Sequence, residues 1–580
     1  MDPCSTDITS EDYADFIYQH TSLPLEELYR LYDSPCIDFI SRELLVLYRP
    51  LQDVLPLSLE KYSYDTIPKL YSLLDTSSMD ASGITASQAQ PNFGSLGEGV
   101  IIGIIDTGID YTNPIFRNPD GTTRILGIWD QTLPENGPGG VSFGFDFSLL
   151  YGQEFTETQI NEALSSTSPL DIVPSMDTDG HGTFMAGIAG GGETEDGSFI
   201  GAAPACSFGI VKLKPAKKYL RDFFGIREDA VAYQENDILT GIRYLLNLSY
   251  LNNAPLVLLI GLGTNSGSHS GTSPLGLFFR RISVTGGVAS VIAAGNETGF
   301  RHHFLGNIME DENYEEVELR VAEGERGLTV ELWAREAELY TVGFISPTGE
   351  QIERIPVIRG NETRINLLLE QTVITVNYVT SEAGSGSQLV FIRFETPAAG
   401  LWRIRVYNSL FITGQYHMWL PVHGFISDDT IFLRSNPDTT ITGPGNSPSP
   451  ITVAAYNHQN GSIYIHSSRG FTRDEGIKPE LAAPGVDVYG PGLGRDTEDG
   501  RVFPMTRRTG TSVAAAHVAG AAAVLFGWGL KNSMTLSMYQ AGVKSYLVRG
   551  ASRNPAYTYP NKEFGYGTLD LFNTLLRFRE

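Results

Sequence analysis

Hydrophobic and polar positions follow three different rhythms along this chain. From Gly97, the segment GVIIGIID is an unbroken apolar run ending in Asp106. Such a run suits a strand covered on both faces, as in a parallel sheet between helices. FGIVKL near Val211, APLVLLIGLG near Leu258 and GVASVIAAGN near Ile292 repeat it. Between them, TFMAGIAG and ENDILTGIRYLLNLSYL carry helical spacing, and ETQINEAL predicts a further helix. Strands alternating with helices predict an α/β domain, a mostly parallel sheet flanked by helices with right-handed crossovers.

Near residue 306 the rhythm shortens. EEVELRVA, LTVELWAR, YTVGFISP, TVITVNYV, SQLVFIRFET and GLWRIRVYN alternate over short stretches divided by turns such as PTGE and AGSGS. This predicts an inserted all-β domain, a sandwich or jelly roll. The α/β texture resumes at SPITVAAY. Residues 1–75 differ from both. SEDYADFIYQH and PLEELYRLY have helical spacing, CIDFI and ELLVLYRP read as two strands, and the polar stretch over 58–85 reads as a linker. The expected division is 1–75 as a small N-terminal unit, 76–305 and 436–580 as two parts of one α/β domain, and 306–435 as the insert.

Composition narrows the function. A net charge of -26 over 580 residues argues against nucleic acid as a partner, because phosphate binding needs clustered Lys and Arg. Three scattered cysteines, Cys4, Cys36 and Cys206, predict incidental thiols rather than a disulfide framework or a thiolate metal site. The N-terminal segment lacks the basic and apolar regions of a secretory signal, and no membrane span is expected.

Candidate chemistry lies in four places. Asp106 ends a buried strand, where functional groups gather in α/β sheets, although an Asp before Thr107-Gly108 also caps a turn. His181 stands between Gly180 and Gly182 at a helix start; the glycines allow close backbone approach. Ser512 opens a run of Ala, Val and Gly, where the helix dipole and free N–H groups favour an anion; a simple N-cap is the alternative. Asn296 closes another buried strand and could donate to a developing oxyanion, or merely form a turn. The combination decides the matter. A serine hydroxyl needs a base to take its proton, a His needs a carboxylate to orient it, and the tetrahedral intermediate needs a donor. Trp402 and Tyr407, at alternating strand positions, offer either a carbohydrate-binding surface or core.

At these residues the chain resembles the subtilase family of serine proteases, peptidase family S8. The resemblance extends to GAAPAC, ITVAAY, SSRGF and KPELAAPGV. DTDGHGTF, GLGTNSGSHSG and GTSVAAAHVAGAAAVL further resemble the clostridial germination protease (Csp) group and related gut Firmicutes subtilases. The resemblance implies that Asp106 orients, His181 is base and acid, Ser512 attacks and Asn296 stabilises the oxyanion. It implies a pocket flanked by Gly261-Leu262-Gly263 and Ala293-Ala294-Gly295, with the substrate backbone pairing there as an added strand. It implies a peptide or protein substrate, a self-processing zymogen whose N-terminal propeptide occupies the groove, and possible germination-type processing in a cytoplasmic or spore-associated setting. No cofactor is implied for the chemistry and no metal ligands are assigned. Structural calcium is common in such proteins, but Glu193, Glu195 and Asp196 lack a ligand spacing.

Overall fold

The computed structural model describes residues 8–19, 30–32, 36–41, 43–73, 78–90, 95–134, 149–358, 362–497, 500–533 and 538–577. An eight-stranded sheet forms the centre, in the order Leu481–Pro484, Ile451–Tyr456, Val288–Ala293, Leu256–Ile260, Ile101–Asp106, Ser207–Lys212, Ile125–Asp130, Gln153–Thr156. Neighbours run parallel except for the last pair. The apolar run ending in Asp106 is a central strand, buried at every position because helices cover both faces. On one face lie His181–Gly190 and Thr511–Lys531; on the other lies Glu235–Leu251. The 511–531 helix is apolar all round and long enough to cross a membrane, but it is packed inside the protein. Gly520 lets it approach the carbonyl of Ala189, where a β-carbon would collide.

Residues 303–432 form two antiparallel sheets. One is ordered 303–307, 415–419, 327–334, 389–395, 373–379, 363–366; the other 351–352, 339–345, 400–410, 315–321, 431–432. A shared core of Leu319, Leu332, Phe344, Ile392, Phe394 and Trp402 fills the space between them. Trp402 is buried, with its indole N–H given to Ala398 O, so it serves packing and not a ligand surface.

The N-terminal region differs from its expected pattern in two places. Residues 13–19 are a strand, not a helix; Tyr13–Gln19, Leu44–Pro50 and Ile37–Phe39 make a three-stranded antiparallel sheet. Most of PLEELYRLY lies outside the described residues, as does the PENGPGGVSFGFDF stretch from residue 135 onward. The expected linker also contains a strand, Leu70–Leu73, inserted antiparallel between Tyr233–Gln234 and Leu262–Gly263. Strand addition works through backbone hydrogen bonds and so leaves no hydrophobic period to read. Cys36 is disulfide-bonded, against the expectation of incidental thiols, whereas Cys206 is free and buried.

The three-stranded sheet sits on the 235–251 helix through Ile17, Leu44, Val46 and Tyr48. A buried ion pair, Lys217 Nζ to Asp15 Oδ2 at 3.0 Å, lies within this contact. The same ammonium donates to Ile8 O at 2.6 Å and Tyr13 O at 2.9 Å. Gln234 Nε2 donates to Asp15 Oδ2 at 2.9 Å.

Candidate active site

Three chain segments that end or begin at the carboxyl edge of the sheet bring Asp106, His181 and Ser512 together. His181 Nδ1 lies 2.8 Å from Asp106 Oδ1 and 2.9 Å from Oδ2. Its Nε2 lies 3.0 Å from Ser512 Oγ. The three side chains are 2%, 1% and 0% exposed for His181, Asp106 and Ser512. The Asp106 carboxylate also accepts from Thr107 N at 2.8 Å, which fixes its plane. An Nδ1–H given to the carboxylate leaves Nε2 as an acceptor for the serine proton.

Local sequence explains these positions. Asp177 shapes the turn before His181, accepting from Gly180 N at 2.8 Å and from Thr183 N at 2.9 Å. Gly182 packs on the Gly108 carbonyl with no room for a side chain, so the His-bearing turn can close on the Asp-bearing one. Ser512 is the second residue of its helix, where N–H groups have no partner within the helix.

Asn296 follows the Val288–Ala293 strand. Its Oδ1 accepts from Thr511 N at 3.1 Å and Thr511 Oγ1 at 3.2 Å, which turns the amide N–H2 the other way. Thr511 Oγ1 also meets Gly295 N at 3.1 Å, so one threonine holds both residues beside Ser512. The next residue, Glu297, is buried. Burial opposes its ionisation, but bonds from His302, Asn265 and the His423 backbone overcome this and hold its carboxyl below the usual range.

The expected pocket residues gather here too. A β-carbon on Gly261 would stand 2.9 Å from Ser512 Cβ and 3.2 Å from His181 Cε1. Leu262 and Gly263 pair with Leu73 and Ser72. The side chain of Thr442 lies against Gly263 and Gly295, and its hydroxyl meets Ala294 O at 3.2 Å; Ala293 closes the adjoining strand. Sequence reasoning missed Thr442, which lies beyond the long insert and matches no motif. It also missed His517, one turn past Ser512, whose Nε2 accepts from Ser78 N at 2.9 Å. Burial pushes His517 down to about 3, so it stays neutral. The acidic residues Glu193, Glu195 and Asp196 do not converge; among the described residues no group of three His, Cys, Asp or Glu side chains has metal-binding geometry.

The chain is similar to known proteins over most of its length. The Subtilase family profile, Peptidase_S8, matches residues 97–366 and 428–567. The solved structure of the Clostridium perfringens CspB protease is similar, with a TM-score of 0.73 and 30% identity, over 86% of this chain and 97% of that one. Among curated proteins, subtilisin-like protease SBT2.2 of Arabidopsis thaliana is 26% identical over 491 residues, 74% of this chain. Subtilisin-like protease SBT3.6 of the same plant is 31% identical over 137 residues, 23% of this chain and 17% of its own length. This chain spans about half the length of SBT2.2, 54%.

Proposed function

The chain belongs to the subtilase family, and from that premise we propose that it is a serine endopeptidase made as a zymogen that cuts itself. The observation that carries the reading is the unbroken hydrogen-bonded line from Asp106 through His181 to Ser512. Ser512 Oγ attacks the peptide carbonyl carbon as its proton passes to His181 Nε2. Asp106 holds the imidazole and stabilises its positive form. Negative charge gathers on the carbonyl oxygen, where Asn296 Nδ2 donates. The intermediate collapses, His181 returns the proton to the leaving amine, and an acyl-enzyme remains on Ser512. Water, deprotonated by His181, then releases the acid.

The zymogen reading rests on the strand at 70–73. It pairs with both walls of the groove, as a substrate backbone would. The register sets Ser72 opposite Gly263 and Leu73 opposite Leu262, while Gly261 adjoins Ser512. This register predicts cleavage just beyond the strand, between residues 74 and 75. Intact mass tests this. Wild type is expected to fall into two pieces divided at residues 74–75, and Ser512→Ala to remain whole. A wild-type chain that stays whole, and whose Ser512 does not react with a fluorophosphonate after the N-terminal region has been removed, would refute the reading.

A further inference from the structure

The N-terminal segment carries a buried cation into the groove. Lys69 is 1% exposed, and its backbone is held on both sides by one residue of the α/β body. Glu235 N donates to Lys69 O at 2.9 Å, and Lys69 N donates to Glu235 Oε2 at 3.3 Å. Across the same recess stands Glu331, from the 327–334 strand of the inserted sheets. Glu331 Oε1 accepts from Tyr64 OH at 2.6 Å; its Oε2 accepts from Gly267 N at 3.0 Å and Trp333 Nε1 at 2.9 Å. The Lys69 ammonium lies 4.2 Å from the Tyr64 ring and donates to Tyr64 O and Ile67 O, both at 2.7 Å. It makes no ion pair with either carboxylate, and its charge reaches both from beyond contact distance. Burial pushes the carboxyls of Glu235 and Glu331 up, and the positive charge of Lys69 opposes that push on both. Asp65, which leaves with the segment, shares a hydrogen bond with Glu382. Once the segment departs, Glu235 and Glu331 lose this cation; Glu235 Oε1 keeps Leu275 N at 3.2 Å, and Glu331 Oε2 keeps Gly267 N and Trp333 Nε1. Buried carboxylates left without a counter-charge favour a ligand that restores positive charge.

We propose that Glu235 and Glu331 form a remote subsite, built jointly by the α/β body and the inserted sheets, that selects a lysine side chain in the substrate. That lysine stands four residues before the one paired with Leu262, as Lys69 stands before Leu73. The inserted sheets then take part in choosing the substrate: an extended segment with a basic residue upstream of the cut and a bend before it. The inference rests on the endopeptidase reading.

Three synthetic peptides test it against the self-processed full chain: residues 62–78 with lysine at position 69, the same with norleucine there, and residues 70–78 alone. The lysine peptide is expected to show about tenfold higher kcat/KM than the norleucine peptide, carried by KM, as for a charge contact made on binding. Glu235→Gln or Glu331→Gln enzyme should narrow that ratio. Equal turnover of the two long peptides by wild type would overturn the subsite while leaving the endopeptidase reading intact. If none of the three peptides is cut, the endopeptidase reading itself falls, and the subsite with it.

Discussion

The Asp15–Lys217 pair allows a quantitative forecast of how firmly the N-terminal region is held on the α/β body. Both side chains are buried, with Nζ and Oδ2 3.0 Å apart. Replacing Asp15 by alanine would leave an ammonium inside the contact without its counter-charge. Breaking a buried pair costs about 3–5 kcal/mol. Lys217 would keep two carbonyl acceptors, Ile8 O and Tyr13 O, and Gln234 would keep a bond to Asn236 Oδ1 at 3.0 Å. Those remaining partners place the cost at the lower end, about 3 kcal/mol, or roughly a hundredfold in the population of the open state. Fluorophosphonate labelling of Ser512 reads that population, since the strand at 70–73 occupies the groove and Ser512 is buried. Asp15→Ala is therefore expected to label about a hundredfold faster than wild type. Asp222→Ala removes an exposed pair with Lys218 in the nearby 218–224 helix and should change the rate by less than about threefold. An Asp15→Ala protein that is folded yet labels at the wild-type rate would refute the reasoning, because opening would then be confined to residues near Ser512.

Two further outcomes follow from the site and its surroundings. Asn296→Ala removes the expected oxyanion donor and the acceptor of Thr511, so peptide turnover should fall by about two to three decades in kcat with little change in KM; an unfolded circular-dichroism spectrum would point to general disorder instead. Burial lowers His303 from the ordinary 6.5 to about 4, with its Nε2 2.9 Å from His417 Nδ1. The unfolded chain binds the proton first, so this group's contribution to stability is complete above pH 6.5. It is lost as pH falls from there toward about 4. Thermal midpoints measured across that window should decline, and His303→Gln should flatten the decline.

The parts of the fold that depend on two-sided burial were legible in the sequence, because the Ile101–Asp106 and Leu256–Ile260 strands must be apolar at every position. Gly182, Gly261 and Thr511 lie in or beside the motifs that marked His181 and Ser512, so the geometry around the hydroxyl followed the pattern closely. The first strand was misread for a related reason. Phe16 and Ile17 are buried beside Asp15, whose charge is neutralised by Lys217 some two hundred residues away; the resulting spacing imitates a helix. Glu297 also looks like a surface charge until its distant partners are known. A buried ion pair is a property of two segments, and one segment alone does not announce it.

The carboxylate of Glu297 also bears on how the chain tolerates so large an excursion. It bonds His302 just before the inserted sheets and the His423 backbone near their far end, at 3.2 and 3.1 Å. Chain entry and exit therefore meet at a single side chain, and the α/β body sees the intervening polypeptide as a short loop. Closing that loop costs an amount that grows only with the logarithm of its length. Lengthening, shortening or replacing the excursion beyond this knot would leave the path of the surrounding backbone nearly unchanged, so the point is a natural seam for recombination between otherwise dissimilar relatives.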